Sequence, residues 1–218
     1  PSDNAQTSNA DVTSEAVYWQ GTYAITDKLN ATLGVRKSDD ESDYTIEMTT
    51  TSPGIPFVQV PGKWSEVLEF GSTDPKLVLD YSFNENTMGY VSVSSGYKSG
   101  GFSFATWSES ESRGGFNEEE LDATEIGVKY KSSDNRLVVN AAYYEYDYTD
   151  QQQQIIVVTQ SGSLAGKTFN AGESEMTGFE LETKYAITDN TQIDFNYYSS
   201  DTSFTVSYTH LTLPTTTI

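Results

Sequence analysis

The 218-residue chain contains no cysteine, which removes disulfide scaffolds, thiolate metal sites and cysteine nucleophiles together. It holds one histidine, His210, so a Ser-His-Asp hydrolase has little to be assembled from. Basic residues are scarce as well: 12 Lys+Arg stand against 32 Asp+Glu, giving a net charge of −20 and a pI near 4.1. Phosphate backbones need clustered Lys and Arg, so nucleic acid is excluded as a partner. Nowhere is there a run of about 18 apolar residues, which excludes a membrane-spanning helix. A transmembrane β-barrel stays open, because its strands alternate lipid-facing and lumen-facing residues. Residues 1–11 lack both the basic start and the apolar core of an export signal, and the chain opens on Pro1. It therefore reads as an internal fragment.

Aromatic residues, by contrast, are plentiful: 15 Tyr, 10 Phe and 3 Trp occur in a chain only 36% hydrophobic. Their placement has period two. In 75–84, Leu77, Leu79, Tyr81 and Phe83 alternate with Lys76, Val78, Asp80 and Ser82. In 121–131, Ile126, Val128 and Tyr130 oppose Glu125, Gly127 and Lys129, and in 176–185, Phe179, Leu181 and Tyr185 oppose Glu180, Glu182 and Lys184. This is the signature of strands with one apolar and one polar face. Trp19, Leu33, Val35, Leu79, Tyr81, Val91, Val93, Ile126, Val128, Tyr130, Phe179 and Leu181 form the outward set, expected on the convex, lipid-facing side of a curved sheet.

A turn signature of Tyr, two residues, a small polar residue and an acid recurs at Tyr23–Lys28, Tyr81–Asn86, Tyr130–Asn135 and Tyr185–Asn190. The spacing suits one tight-turned hairpin per copy. It predicts strands near 14–25 and 28–38, 75–84 and 87–97, 121–132 and 135–148, 173–186 and 190–204. The links over 39–74, 98–120 and 149–172 are then long loops at the opposite end. Short turns at one end and long loops at the other is the asymmetry of outer-membrane barrels. The fold class is thus all-β, about eight meandering antiparallel strands of a larger transmembrane barrel. A soluble β-sandwich adhesin shares the alternation but has no reason to alternate short and long links.

Several stretches then converge on one family. Trp19-Gln20-Gly21-Thr22-Tyr23 through Gly34-Val35-Arg36, Gly96-Tyr97-Lys98-Ser99-Gly100-Gly101-Phe102, Glu125-Ile126-Gly127-Val128-Lys129, Asn170-Ala171-Gly172 and Gly178-Phe179-Glu180-Leu181-Glu182 follow one another in an order that resembles the barrel domain of TonB-dependent outer-membrane receptors. The resemblance implies a Gram-negative outer-membrane location, contact with outer-membrane lipid, and import of a scarce nutrient such as a ferric siderophore. It further implies a barrel of about 22 strands around a plug that couples to the TonB complex, the plug being absent from this fragment. No enzymatic role and no cofactor are implied. A passive porin-like channel is the rival transport reading. From Val206 onward the sequence looks like translated sequencing adapter, so residues 1–205 are read as partial barrel and 206–218, with His210, as a non-native tail.

For chemistry the sequence offers little. Glu180 with Glu182, or Glu118–Glu120, could in principle form a glycosidase pair, but such acids ordinarily line a barrel lumen. Asp39-Asp40-Glu41-Ser42-Asp43 lacks EF-hand spacing, and Gly96–Gly101 lacks the phosphate-loop pattern, its glycines fitting a bend at a strand end. Gln151–Gln154 is an aggregation-prone tract with no chemistry of its own. Substrate contact is expected from the loop after Phe102, where Phe102, Phe104, Trp107, Arg113 and Phe116 combine aromatic faces with a cation.

Overall fold

The computed structural model describes residues 4–50, 62–103, 113–158 and 164–205. Among these, eight strands form one antiparallel sheet: β1 (Asn4–Ala24), β2 (Leu29–Thr50), β3 (Gly62–Asn84), β4 (Thr87–Lys98), β5 (Glu119–Lys131), β6 (Leu137–Thr149), β9 (Glu173–Thr188) and β10 (Thr191–Thr205). They run in the order β1-β2-β3-β4-β5-β6-β9-β10. Between β6 and β9 the chain makes a separate hairpin, β7 (Gln152–Val158) with β8 (Leu164–Asn170). Because successive strands reverse, the four Tyr-marked turns lie at one end of the sheet and the connections between hairpins at the other.

Register sorts the side chains into two faces. One cross-strand row runs Tyr23, Ala31, Leu79, Val91, Ile126, Tyr143 and Phe179, and the row below it runs Leu29, Tyr81, Gly89, Val128, Ala141 and Leu181. With Trp19 opposite Val35 and Leu33 opposite Leu77, the expected outward set shares one face. Trp19, Leu33, Val91, Val93 and Ile126 are exposed, and among the described residues no second sheet covers them. A soluble sandwich would have buried this face. The molecule leaves it open, as lipid contact requires.

The other face is polar and internally bonded. Asn30 Nδ2 donates to Asp80 Oδ1 at 2.9 Å, Tyr90 to Glu125 at 2.6 Å, and the Tyr144 hydroxyl to that of Tyr198 at 2.9 Å. Two tyrosines on this face lie across glycines of the neighbouring strand, Tyr90 opposite Gly127 and Tyr144 opposite Gly178. A Cβ at Gly178 would run into the Tyr144 ring, so the absence of a side chain there is what lets the ring lie flat on the sheet and stack on Tyr146, 4.6 Å between centroids.

At the short-turn end, small polar residues close the hairpins. Asp134 accepts hydrogen bonds from the Ser132 hydroxyl at 2.5 Å and the Arg136 amide at 3.1 Å, while Asn135 takes a left-handed φ of 58°. Arg136 donates from Nε to the Ala186 carbonyl at 2.8 Å and from Nη2 to that of Ile187, tying this turn to β9.

The long-loop end departs from the sequence expectation in two places. In the stretch 39–74, the residues up to Thr50 continue β2 and those from Gly62 already belong to β3, so these parts are strand rather than loop, while 51–61 lie outside the described residues. Its acids hide a period-two pattern with the polarity reversed: Asp43, Thr45 and Glu47 face outward while Tyr44, Ile46 and Met48 are buried on the inner face. Likewise 149–172 contains the β7–β8 hairpin, so a separate two-stranded sheet accompanies the expected eight strands of the wall.

Candidate functional site at the long-loop end

Above the apolar belt, β2 and β3 carry a compact apolar cluster. Tyr44, Ile46, Met48 and Trp64 are buried with Phe102, and Leu68 packs against them. Ile46 pairs directly with Trp64, and Tyr44 with Glu66, so the cluster grows from one face of a paired hairpin. The Tyr44 and Phe102 rings stack with centroids 4.1 Å apart and planes at 13°. Burial, reinforced by the Glu66 carboxylate, pushes the Tyr44 hydroxyl up to about 12. The Trp64 indole N–H is buried and has no hydrogen-bond partner among the described residues.

The segment after β4 folds down onto this cluster. Gly101 and Phe116 exchange two backbone hydrogen bonds, 3.0 and 2.8 Å, forming a one-rung ladder that closes the loop at its base. Gly100 makes the approach possible, because a Cβ there would collide with the Phe116 carbonyl oxygen and the Phe70 ring. The Gly114 amide donates to Glu66 Oε2 at 3.2 Å, fastening the returning strand of the loop to β3. Beside it the Tyr97 hydroxyl donates to the Asp40 carboxylate.

Of the five residues expected to contact substrate, Phe102 is buried beneath the loop against Tyr44, Phe116 is half-buried at the rung, and Arg113 is exposed. Phe104 and Trp107 lie outside the described residues, as do His210 and the rest of 206–218. The structure thus sets Phe116 against Gly101 and the neighbouring Phe102 against Tyr44 at the loop base. Sequence reasoning missed Tyr44, Ile46, Met48 and Trp64, although their alternate spacing was the available signal. Among the described residues no group of His, Asp and Glu is arranged to hold a metal.

An open sheet with one lipid-compatible face, short turns below and a built-up loop layer above is the wall of a large barrel, and comparison identifies which. The family described as TonB dependent receptor-like, beta-barrel, matches residues 1–217. The chain belongs to this family. The pesticin receptor of Yersinia pestis is 27% identical over 182 residues, covering 83% of this chain and 25% of that protein. Among solved structures, the ferric yersiniabactin uptake receptor FyuA from Yersinia pestis aligns over 93% of this chain and 28% of its own, with a TM-score of 0.76 and 22% identity. The siderophore receptor PiuA from Acinetobacter baumannii aligns over 91% and 26%, with a TM-score of 0.67 and 23% identity. The chain spans about a quarter of the length of the curated relatives it matches.

As part of a TonB-dependent receptor barrel, the sheet sits in the Gram-negative outer membrane, and its faces acquire addresses. The row through Val91 and Ile126 lies on the apolar outer face of the wall, and Glu125, Lys129, Glu180 and Glu182 lie on the opposite, polar face. The Tyr44–Phe102 cluster then lies on the interior side, above the membrane, at the mouth.

Proposed function

We infer that this segment belongs to a receptor that captures a scarce nutrient, a ferric siderophore or a similar small ligand, at the long-loop end and imports it. Energy would arrive from the TonB complex through a plug domain contributed by other parts of the receptor. The observation that carries the reading is the inward aromatic cluster at the mouth of a wall whose family includes the ferric yersiniabactin uptake receptor. Arg113 and Phe116 are the described residues of the 98–119 loop that offer a cation and an aromatic face to ligand, joined by Phe104 and Trp107 of the same loop. Phe102 acts from beneath, by holding the loop onto Tyr44. The apolar belt contacts outer-membrane lipid, and the segment binds and passes its ligand without covalent chemistry. Nothing in the geometry favours a passive channel or an adhesin.

The test is removal of Ser103–Gly115 from the full-length receptor, with binding of iron-loaded phenolate, catecholate and hydroxamate siderophores measured on whole cells beside surface expression. Binding lost at normal expression places the loop in the site. Unchanged affinity for a siderophore that the intact receptor binds removes it.

A further inference from the structure

Where β6 leaves the sheet and β9 enters it, two side-chain amides make an unusual number of contacts to backbone. Asn170, the last residue of β8, accepts the Asn117 amide on Oδ1 at 2.7 Å. Its Nδ2 donates to the carbonyls of Asn117 at 2.9 Å, Glu118 at 3.2 Å and Asp150 at 2.8 Å. Gln152, its register partner at the first position of β7, donates from Nε2 to the carbonyls of Ser99 at 2.9 Å, Asn117 at 3.0 Å and Lys98 at 3.4 Å. The Gln152 backbone amide donates to Glu119 Oε2 at 2.7 Å, and Glu119 in turn lies 4.0 Å from the Lys98 ammonium. Further along, the Thr168 amide donates to Ser103 Oγ at 3.0 Å.

An amide side chain that accepts from and donates to the same residue's backbone replaces a strand partner. Asn170 does this to Asn117, so the β7–β8 hairpin is joined to the base of the 98–119 loop as though by one more rung of sheet. The backbone bends to permit it, with Asp150 at a φ of 52° and Gln151 and Gly172 bonded across the hairpin base at 3.0 Å. The loop is fixed on its other side to β2 and β3 through Phe102 on Tyr44 and Gly114 on Glu66.

We propose that Asn170 and Gln152 form a clamp that couples the β7–β8 hairpin to the 98–119 loop, and through it to the β2–β3 extension, so that these three features of the mouth move as one body. Asn170 is a positioning residue, acting through the loop it holds. If ligand contacts this loop, as proposed above, contact at either element is carried to the other. The coupling itself holds whatever the ligand is, and is read in ligand-free receptor.

This chain brings no cysteine of its own to compete for spin label, and any cysteine elsewhere in the receptor is replaced by serine. In the full-length receptor, one label pair at Lys167→Cys and Glu69→Cys reports the hairpin against β3, and a control pair at Glu15→Cys and Glu120→Cys reports the wall. N170A should broaden the hairpin–β3 distance distribution at least about twofold, because four hydrogen bonds are lost together, and leave the control pair unchanged. N170D keeps an acceptor for Asn117 but loses every donor, and should broaden it as much. A wild-type width in N170A, or in N170D, overturns the clamp. Should N170A disturb the control pair, Q152A decides: broadening upholds the coupling and a wild-type width refutes it.

Discussion

Placing a lysine at either of two adjacent positions on β4 separates the two faces of the wall. Val91 pairs with Leu79 and Ile126 in the middle row of the apolar face, whereas Ser92 pairs with Val78 and Glu125 on the interior face. The depth of the Val91 row follows from its partner strand. Ile126 lies four positions before Tyr130 at the short-turn rim, which is about 14 Å along a strand and, at the tilt of such barrels, about 10 Å along the membrane normal. Since the apolar band is about 25 Å tall, that row is close to the midplane. V91K should therefore destabilise the folded receptor by about 2–4 kcal/mol, the cost of a midplane lysine on the lipid face. S92K sets its ammonium among interior carboxylates, beginning with Glu125, and should cost less than about 0.5 kcal/mol, as surface substitutions do. Y130K, at the rim, should cost only about 0.5 kcal/mol by the same depth dependence. The assay is urea-dependent folding of the full-length receptor into lipid vesicles, followed by tryptophan fluorescence and gel mobility. Equal costs for V91K and S92K would refute the assignment of faces, and a V91K cost under about 0.5 kcal/mol would refute the depth.

Three further expectations concern packing and charge. G178A drives the Tyr144 ring off the sheet, losing the Tyr146 stack and the bond to Tyr198. The loss of about 1–2 kcal/mol should largely vanish in a Y144A background, and a double-mutant cycle without coupling would contradict the contact. F102A removes a ring from the mouth cluster and should lower the local opening free energy of the 98–119 loop by about 3 kcal/mol, seen as faster amide exchange there with barrel strands unaffected. The Asp134 carboxyl is held below its ordinary 3.8 by the Ser132 hydroxyl, then by the Arg136 amide, so its contribution to the turn is present above that value and fades as pH falls through the folded one. D134N should accordingly lower stability at neutral pH, with the gap from wild type closing below pH 3.8; a constant gap down to the acid limit would show that the carboxylate charge is not involved.

How much of this was readable without coordinates depended on which side of the membrane boundary a residue lies. Within the belt, Leu79, Val91, Ile126 and Phe179 announce themselves because lipid enforces an apolar exterior and the interior tolerates Asp80, Glu125 and Glu180. Tight turns follow from Asn, Asp and Ser at fixed offsets, which is local chemistry. Beyond the belt both signals weaken. The five-position run from Asp39 to Asp43 reads as a solvated loop, yet these residues lie on β2, paired with β1 on one side and β3 on the other, because water suits Asp39, Glu41 and Asp43 on the outer face as well as an apolar surround suits Leu33 and Val35 lower down. The amide contacts of Gln152 and Asn170 were unreadable for another reason: they join positions brought near only by the pairing of β4, β5, β6 and β9, and a glutamine tract or an Asn-Ala-Gly carries no trace of its backbone partners.

The reversal along β2 and β3 locates the membrane edge from the wall itself. Through Leu33, Val35 and Leu77 the apolar side chains face out, and from Tyr44, Ile46, Met48, Trp64 and Leu68 they face in, while the strands keep one unbroken register. A register shift would exchange the faces too, but the pairing runs from Leu29 with Tyr81 to Met48 with Gly62 without a slip. The environment must therefore change along the strand. Lys37, Asp39, Glu41 and Asp43 occupy the outer face immediately above Val35, where lipid contact would be costly, so the edge falls between Val35 and Lys37 on β2. Above it the hairpin has no lipid to stabilise its outer face and needs a core of its own, which Tyr44 and Phe102 supply by drawing the 98–119 loop inward. The same stack that stabilises the extension thus shapes the mouth.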